Sequence, residues 1–236
     1  MIQSFYSAPE RIIMTKTALI IDFDGTITDD DFFVYIRDAY FDDTALEPWR
    51  RYLDGKLTHF DALKQIFAKL RVSEDELKSL IATVQVDPWT IPLFRLCHSA
   101  NIPVYIASAG CDYYINLLIG EAIQEYNVTL ITNRSAYSKA AGLVMESPPQ
   151  GSLYYDASTG ISKRKIAEIL KADGYHIIFA GDGPPDIEPA RLADVVFAKK
   201  ILLDKCIEEG IPIQTFNSCQ DIYSFISTLL ESETPQ

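Results

Sequence analysis

The sequence predicts an α/β fold, in which crossover helices join the strands of a parallel sheet. Three short, continuous apolar runs support this prediction, at residues 17–21 (TALII), 103–107 (PVYIA) and 176–180 (HIIFA). Such runs are typical of strands that are buried on both faces of a parallel sheet. Each run ends abruptly in a polar or glycine-containing motif, and ligands bind outside the carboxyl ends of strands in such sheets. We therefore expect the functional residues at these strand ends.

Two further strands are predicted at residues 128–132 and 194–198. Segments with helical periodicity lie between the strands, which is the alternation expected of an α/β sheet. Residues 142–155 contain Pro148 and Pro149 and favour a hairpin or an irregular excursion over a helix.

Residues 31–100 have a different pattern, with helical signals and no convincing strand. Ser73 and Glu76 have the spacing of a capping box, which predicts the start of a helix. An apolar stripe at helical spacing comprises Phe60, Leu63, Phe67 and Leu70. We expect residues 31–100 to form a helical subdomain, inserted into a core made of residues 1–30 and 101–236.

Composition and charge limit the classes of function. The chain has 236 residues, of which 48% are hydrophobic, so it can bury one full core and a smaller second one. A formal net charge of -12 argues against a nucleic-acid partner, because such surfaces need clustered lysines and arginines. No apolar run approaches the roughly 18 residues of a membrane span. A small molecule is the expected partner.

The four cysteines lie far apart without a CxxC pair, which predicts reduced thiols in a cytoplasmic protein and neither a zinc site nor a disulfide framework. Residues Met1 to Thr15 are expected to form a leader before the first strand, and the sequence leaves open whether Met1 or Met14 is the start. It also leaves the oligomeric state open.

The first predicted strand ends in DFDGT, which holds two acidic side chains. Asp22 and Asp24 flank Phe23, so on an extended strand end they project to the same side, and Gly25 allows a sharp turn. Two carboxylates this close repel each other unless a cation or a proton lies between them. An acidic loop that caps the next helix is the alternative, and the companion motifs disfavour it.

The remaining motifs supply what phosphoryl transfer needs, which is positioning and charge neutralisation. Ser108, in ASAG, offers a hydroxyl and neighbouring backbone N–H groups that can hold phosphate oxygens. Lys163 or Lys165, in SKRKI at a predicted helix start, supplies a positive charge for the phosphate and the nucleophile. Asp182 and Asp186, in GDGPPD, add hard oxygen ligands that suit octahedral Mg²⁺.

In this order, the motifs DFDGTIT, ASAG, SKRK and GDGPPD resemble the four motifs of the haloacid dehalogenase-like superfamily. The motifs span Asp22 to Asp186, and the flanking elements fit the Rossmann-like core of that superfamily over nearly the whole chain. The resemblance implies that Asp22 is the nucleophile, and that Asp24 protonates the leaving alcohol and then activates water. An aspartate at position 24, which the dehalogenases lack, implies phosphatase chemistry.

The resemblance also implies how the site binds its ligands. Mg²⁺ would be held by the Asp22 carboxylate, the Asp24 backbone carbonyl and Asp182, while Asp186 would either ligate the ion or orient its waters. The expected substrate contacts are Gly25, Asp31, Ser108, Ala109 and Lys163. Lys163 is favoured over Lys165 because related sequences place the lysine before a short gap and an apolar pair.

Within the superfamily, the predicted insertion resembles the helical-bundle cap of the phosphoserine phosphatase-like branch. SAGCDYYI also resembles a stretch of the methionine-salvage ketose-phosphate phosphatases. Asp31 falls where the branch carries an acidic residue facing the substrate, and it is our candidate specificity group.

Two departures from the branch concern the substrate. An ungapped match puts Ile66 where the phosphoserine enzymes carry a carboxylate-binding arginine, although a shift of a few residues would bring in Lys64. The stretch before the third motif reads ASTGISK and lacks the cysteine that is usual in the methionine-salvage enzymes.

Other side chains near the motifs allow two interpretations. Phe33 and Tyr114 are predicted to pack in the core, with lining of the substrate entrance as the alternative. His59 is isolated from other histidines, and we do not expect it to bind metal.

We therefore expect a Mg²⁺-dependent phosphomonoesterase that hydrolyses a small phosphorylated metabolite through an aspartyl-phosphate on Asp22. The substrate candidates are a ketose phosphate of methionine salvage, a phosphoserine-like compound and a phosphorylated amino alcohol. A phosphotransferase or mutase with the same intermediate is one alternative. A noncatalytic phosphate-binding regulator is another, and the complete set of motif residues disfavours it.

Overall fold

The computed structural model describes residues 16–233, and the predicted leader lies outside this range. The strands are β1 (Thr17–Ile21), β2 (Val104–Cys111), β3 (Thr129–Ser138), β4 (Gly142–Glu146), β5 (Tyr155–Asp156), β6 (Gly160–Ile161), β7 (His176–Gly181), β8 (Val195–Ala198) and β9 (Gln214–Thr215). The helices are α1 (Phe32–Tyr40), α2 (Glu47–Leu53), α3 (His59–Phe67), α4 (Glu74–Ile81), α5 (Thr90–Ser99), α6 (Asp112–Glu125), α7 (Lys163–Ala172), α8 (Ile187–Ala190), α9 (Lys200–Glu209) and α10 (Cys219–Glu233). A short 3-10 helix, Pro184–Asp186, follows β7.

Seven strands form one sheet in the order β4-β3-β2-β1-β7-β8-β9. All neighbouring pairs are parallel except β3 and β4, which form an antiparallel hairpin. The α/β fold and its five predicted strands are therefore confirmed. Strand β3 runs beyond the predicted residue 132 to Ser138 because β4 pairs with its second half. The pairs β5–β6 and β8–β9 were not predicted, since two-residue strands carry no periodic signal.

The central strand β1 explains why the sequence signal for a buried sheet is so clear. Leu19 and Ile21 pack into the hydrophobic cluster on one face of the sheet, while Ala18 and Ile20 pack into the cluster on the other. Successive side chains of a strand point to opposite faces, so a strand covered on both faces must be apolar throughout. This double burial fixes the carboxyl end of β1, where the DFDGT motif begins.

Helices α1 to α4 form an insertion between β1 and β2. The chain leaves and re-enters the core through an isolated antiparallel bridge between Thr28 and Val86. The predicted capping box is present at α4, where the Ser73 side chain accepts from the backbone of Glu76 and the Glu76 side chain accepts from the backbone of Ser73. The Tyr137 hydroxyl of β3 donates to the Val72 carbonyl at 2.5 Å, which joins the insertion to the β3–β4 hairpin.

The range 31–100 for the cap stays a prediction, and the contacts favour an earlier end. Helix α5 packs against α10 and β2 of the core. The bridge at Val86 precedes α5, so we propose that the cap ends near residue 86. The amphipathic pattern of α5 resembles that of the cap helices, because helices of both units bury one face.

Two further sequence expectations concern the whole chain. Among residues 16–233, no helix combines the length and the apolar character that crossing a membrane requires. The four cysteines are unpaired and buried, at positions 97, 111, 206 and 219.

Candidate active site

The candidate site lies at the carboxyl ends of β1, β2 and β7. The backbone N–H of Asp22 donates to the Ala180 carbonyl at 2.9 Å, which continues the pairing of β1 with β7. Ser108 lies in β2, and Asp182 directly follows β7. Because β1 is flanked by β2 and β7, the side chains of Asp22, Ser108 and Asp182 converge on one edge of the sheet.

Lys163 is the cation at the centre of the site. Its Nζ lies 2.7 Å from Asp22 Oδ1 and 2.6 Å from Asp186 Oδ1, and its side chain is 4% exposed. Burial lowers the pKa of Lys163, but Asp186 and Asp22 more than offset this, so the pKa lies above its ordinary value. Lys163 is therefore a permanent ammonium beside the predicted nucleophile.

Lys165, the alternative, lies on the outer face of α7. Its Nζ contacts Glu168 at 3.2 Å, and its side chain is 44% exposed. Ser162 caps α7 by accepting from the backbone N–H of Lys165, which makes Lys163 the first residue of the helix. Residues two apart on a helix do not share a face, so only one of the two lysines can reach the strand ends.

Three buried carboxylates, those of Asp22, Asp182 and Asp186, have oxygens within 4.8 Å of one another. Burial is the main cause that raises the pKa values of Asp22 and Asp182, and the negative charge of Asp186 adds to it. Asp186 Oδ2 accepts from the backbone N–H groups of Asp182 and Gly183 at 3.1 and 3.0 Å. Oxygen ligands of this kind fit a small divalent cation, whose charge would offset their repulsion.

Asp24 has a carboxylate that accepts three hydrogen bonds. Its Oδ1 accepts from the Phe32 N–H at 3.1 Å, and its Oδ2 accepts from the Ser108 hydroxyl at 3.0 Å and the Tyr114 hydroxyl at 2.5 Å. Burial raises the pKa of Asp24, although these hydrogen bonds oppose the shift. A raised pKa favours the protonated form of the carboxyl group, which is the form that can donate a proton to a leaving group.

Gly25 makes the close packing of the first and fourth motifs possible. Its φ of +71° lies in the left-handed region, and a Cβ at this position would lie 2.2 Å from Asp182 Oδ2. The turn that follows is held by the Phe23 carbonyl, which accepts from the N–H groups of Thr26 and Ile27.

Lys200 is a site residue that the sequence analysis missed. Its Nζ lies 3.0 Å from Asp182 Oδ2 and donates to the Gly25 carbonyl at 3.1 Å. Its φ of +49° is unusual for a residue other than glycine and indicates that the surrounding structure holds it in place. Lys200 follows the predicted strand at 194–198, so its position after a strand end was a signal that could have been used.

A cavity of about 300 Å³ opens above these groups, between the core and the cap. Asp31 and Ala109, two of the expected substrate contacts, line it. Phe33 and Tyr114 also line it, and both side chains are buried. Burial, followed by repulsion from Asp24, Asp182 and Asp30, raises the pKa of Asp31 to about 7. The cap side of the cavity is formed by Phe33, Trp49, Tyr52, Leu53, His59, Leu63 and Phe67.

The cap side of the cavity is mainly aromatic. Phe33 stacks on Trp49 with ring centroids 4.4 Å apart, and Tyr52 and His59 contact Trp49 at 5.0 and 5.8 Å. Burial, with a smaller contribution from Lys163, lowers the pKa of His59 to about 4, so its imidazole is neutral at physiological pH. Among the described residues that line the cavity, the only lysines or arginines are Lys163 and Lys200, and both are engaged by aspartates.

Asn133 of β3 is a second residue that the sequence analysis missed. Its Nδ2 donates to the carbonyls of Ala109, Gly110 and Thr159 at 3.0, 3.0 and 3.1 Å. It fixes the backbone that follows Ser108 at the end of β2. A single asparagine within a strand pattern gives no sequence signal for this role.

The strand order, the acidic cluster beside Lys163 and the capped cavity together define a hydrolase with an aspartate at the end of its central strand. The chain belongs to the haloacid dehalogenase-like hydrolase family, which it matches over residues 19–191.

Its relatives include phosphatases. The chain is 27% identical over 213 residues to a 2-hydroxy-3-keto-5-methylthiopentenyl-1-phosphate phosphatase of Bacillus cereus, covering 89% of this chain and 95% of the relative. The enzyme of the same name from Exiguobacterium sibiricum is also 27% identical, with 89% and 96% covered.

Solved structures share the fold. A substrate-bound phosphoserine phosphatase superposes with a TM-score of 0.63 at 15% identity, covering 89% of this chain and 98% of that one. A probable phosphoserine phosphatase from Vibrio cholerae gives 0.65 at 18% identity, covering 93% and 67%. The predicted family and its phosphoserine phosphatase-like architecture are therefore confirmed, and the similarity to the methionine-salvage enzymes is distant.

Proposed function

We propose that the protein is a Mg²⁺-dependent phosphomonoesterase that transfers the phosphoryl group of a small metabolite to Asp22 and then to water. The observation that carries this proposal is the Asp22 carboxylate itself. It lies at the end of the central strand, 2.7 Å from a buried ammonium, and it lines the cavity between the core and the cap. The phosphatase relatives support the same reaction class.

In the first step, an oxygen of Asp22 attacks phosphorus as the bond to the leaving oxygen breaks. Lys163 offsets the negative charge of the nucleophile and of the phosphoryl oxygens. Ser108 donates a hydrogen bond to the phosphoryl group, and Asp24 gives its proton to the departing alcohol. The products of this step are an aspartyl-phosphate and a neutral alcohol.

In the second step, the ionised Asp24 accepts a proton from water as the water oxygen attacks phosphorus. The bond from phosphorus to Asp22 breaks, which restores the carboxylate and releases inorganic phosphate. Asp24 thus recovers the proton that it gave to the alcohol, and the cycle is balanced.

The carboxylates of Asp22 and Asp182 and the backbone carbonyl of Asp24 would hold the Mg²⁺ ion. A bound Mg²⁺ supplies charge neutralisation for the phosphoryl oxygens. Both oxygens of Asp186 are already engaged, one by Lys163 and one by two backbone N–H groups, which favours an orienting role for Asp186 over direct ligation.

The cavity favours substrates with an uncharged or cationic alcohol portion and an apolar part. Its cap side is aromatic and aliphatic, and both lysines in its lining already pair with aspartates. Asp31 would repel such a carboxylate when ionised. The ketose phosphates of methionine salvage and phosphorylated amino alcohols are therefore better candidates than phosphoserine.

We further propose that the protein acts in the cytoplasm, which the four unpaired, buried cysteines support.

The proposal is tested by phosphate release from a panel of phosphorylated metabolites, measured with Mg²⁺, with EDTA and with Asp22→Asn. We expect release to require both Mg²⁺ and Asp22, and to be faster with apolar or amino alcohol phosphates than with phosphoserine. Release that persists in folded Asp22→Asn would refute the covalent route. Substrate loss without matching free phosphate would instead identify a phosphotransferase or mutase, and no reaction with any compound would favour a binding role.

A further inference from the structure

We infer that the Tyr114 hydroxyl is a positioning group for Asp24, which holds this carboxyl group in place while it exchanges protons with the leaving alcohol and with water. The inference goes beyond the proposed function and rests on it, because it concerns how Asp24 performs those transfers.

The contact is direct and completes the hydrogen bonding of Asp24. The Tyr114 hydroxyl donates to Asp24 Oδ2 at 2.5 Å, and Ser108 donates to the same oxygen at 3.0 Å. The other oxygen accepts from the Phe32 N–H at 3.1 Å. Both carboxylate oxygens are therefore fixed, and the plane of the group is fixed with them.

The protein has space for this contact only because residue 110 has no side chain. A Cβ on Gly110 would lie 1.8 Å from the Tyr114 hydroxyl and 2.8 Å from Asp24 Oδ2. The ring of Tyr114 packs against two aromatic rings, since Phe32 stacks on it with centroids 4.3 Å apart and the tilted ring of Phe23 has its centroid 6.0 Å away. Tyr114 is 1% exposed, so its hydroxyl has no bulk water as an alternative partner.

The need for Tyr114 arises when phosphate binds. Ser108 has one hydroxyl proton, which it donates to Asp24 in this structure and which the proposed mechanism requires at the phosphoryl group. Once Ser108 turns to phosphate, Tyr114 is the side chain that still holds Asp24 Oδ2. A general acid must keep its oxygen within hydrogen-bond reach of the leaving group, so a loosened carboxyl group transfers its proton less often.

The substitution Tyr114→Phe removes this hydroxyl and little else. The test compares kcat/KM for an alkyl phosphate with kcat/KM for p-nitrophenyl phosphate, whose leaving group departs without a proton from the enzyme. We expect kcat/KM to fall about tenfold or more for the alkyl phosphate, as is typical when a buried polar group loses its hydrogen-bond partner. The value for p-nitrophenyl phosphate should fall far less.

Tyr113→Phe is the matched control, because its hydroxyl contacts Glu74 at the surface at 3.1 Å and lies away from Asp24. This variant should leave kcat/KM unchanged for both substrates. Should Tyr114→Phe fail to fold in a thermal melt, Phe32→Leu keeps the hydroxyl but removes the stacked ring that fixes it. This variant should show the same selective loss, at a smaller size.

An equal loss on both substrates, or no loss, would overturn the positioning role of Tyr114 while leaving the phosphatase proposal intact. The phosphatase proposal fails separately, if the wild-type protein itself shows no turnover that depends on Mg²⁺ and Asp22.

Discussion

Replacing Lys163 by alanine tests the centre of the site, because this lysine is the buried partner of two carboxylates. Its Nζ lies 2.7 Å from Asp22 and 2.6 Å from Asp186, and the side chain is 4% exposed, so solvent screens neither contact. Removing one partner of a buried ion pair costs about 3–5 kcal/mol, since the remaining charge stays buried. We expect Lys163→Ala to lower the free energy of unfolding by about this amount at pH 8 in EDTA.

The matched variant is Lys165→Ala, two residues away on the same helix. Its pair with Glu168 is at the surface, where such pairs contribute about 0–1 kcal/mol. We expect the free energy of unfolding of this variant to lie within about 1 kcal/mol of the wild-type value.

The loss in Lys163→Ala should depend on pH in a defined direction. Burial and Asp186 already raise the pKa of Asp22, and Lys163 opposes them. Without Lys163 the pKa of Asp22 rises further, so the folded variant takes up a proton on Asp22 at a higher pH than the folded wild type does. Its deficit relative to the wild type therefore shrinks as pH falls from 8 towards 5.

Urea unfolding followed by circular dichroism measures the stability, and phosphate release with Mg²⁺ measures turnover. We expect kcat to fall about 100- to 1,000-fold in Lys163→Ala and to change little in Lys165→Ala. A Lys163→Ala protein with wild-type stability and turnover, or a larger loss in Lys165→Ala, would refute the assignment of Lys163.

Three further outcomes are expected. Asp182→Asn should raise the Mg²⁺ concentration for half-maximal phosphate release by about tenfold or more. An unfolding curve of the variant measured in EDTA should show that the protein is still folded. Asp31→Asn should raise the free energy of unfolding by at least about 1 kcal/mol at pH 8 and by less at pH 5. The reason is that the pKa of Asp31 is about 7 in the folded protein, so ionised Asp31 destabilises the fold. A melting temperature at pH 8 equal to that of the wild type would contradict this. Trp49→Ala should raise KM about tenfold for apolar alkyl phosphates and little for glycerol phosphate, and a uniform effect on both would argue against an apolar subsite.

The sequence predicted the parts of the fold that depend on local patterns. Strand β1 could be recognised because burial on both faces requires an unbroken apolar run, and the capping box of α4 because its partners are three residues apart. The edge of the sheet that carries Asp22, Ser108 and Asp182 followed from one rule, that parallel strands end on the same side.

Other features depend on contacts between distant segments, and only the tertiary structure decided them. The resemblance to related sequences favoured Lys163 over Lys165, but only the direction of α7 gives the physical reason, because it puts one ammonium against Asp22 and the other on the surface. Tyr114 reaches Asp24 across 90 residues, and Lys200 reaches Gly25 across 175. The motifs could therefore be recognised from the sequence alone. The contacts of Asp24 and Gly25 with these side chains were decided by folding, because each contact needs two elements whose relative placement no local pattern encodes.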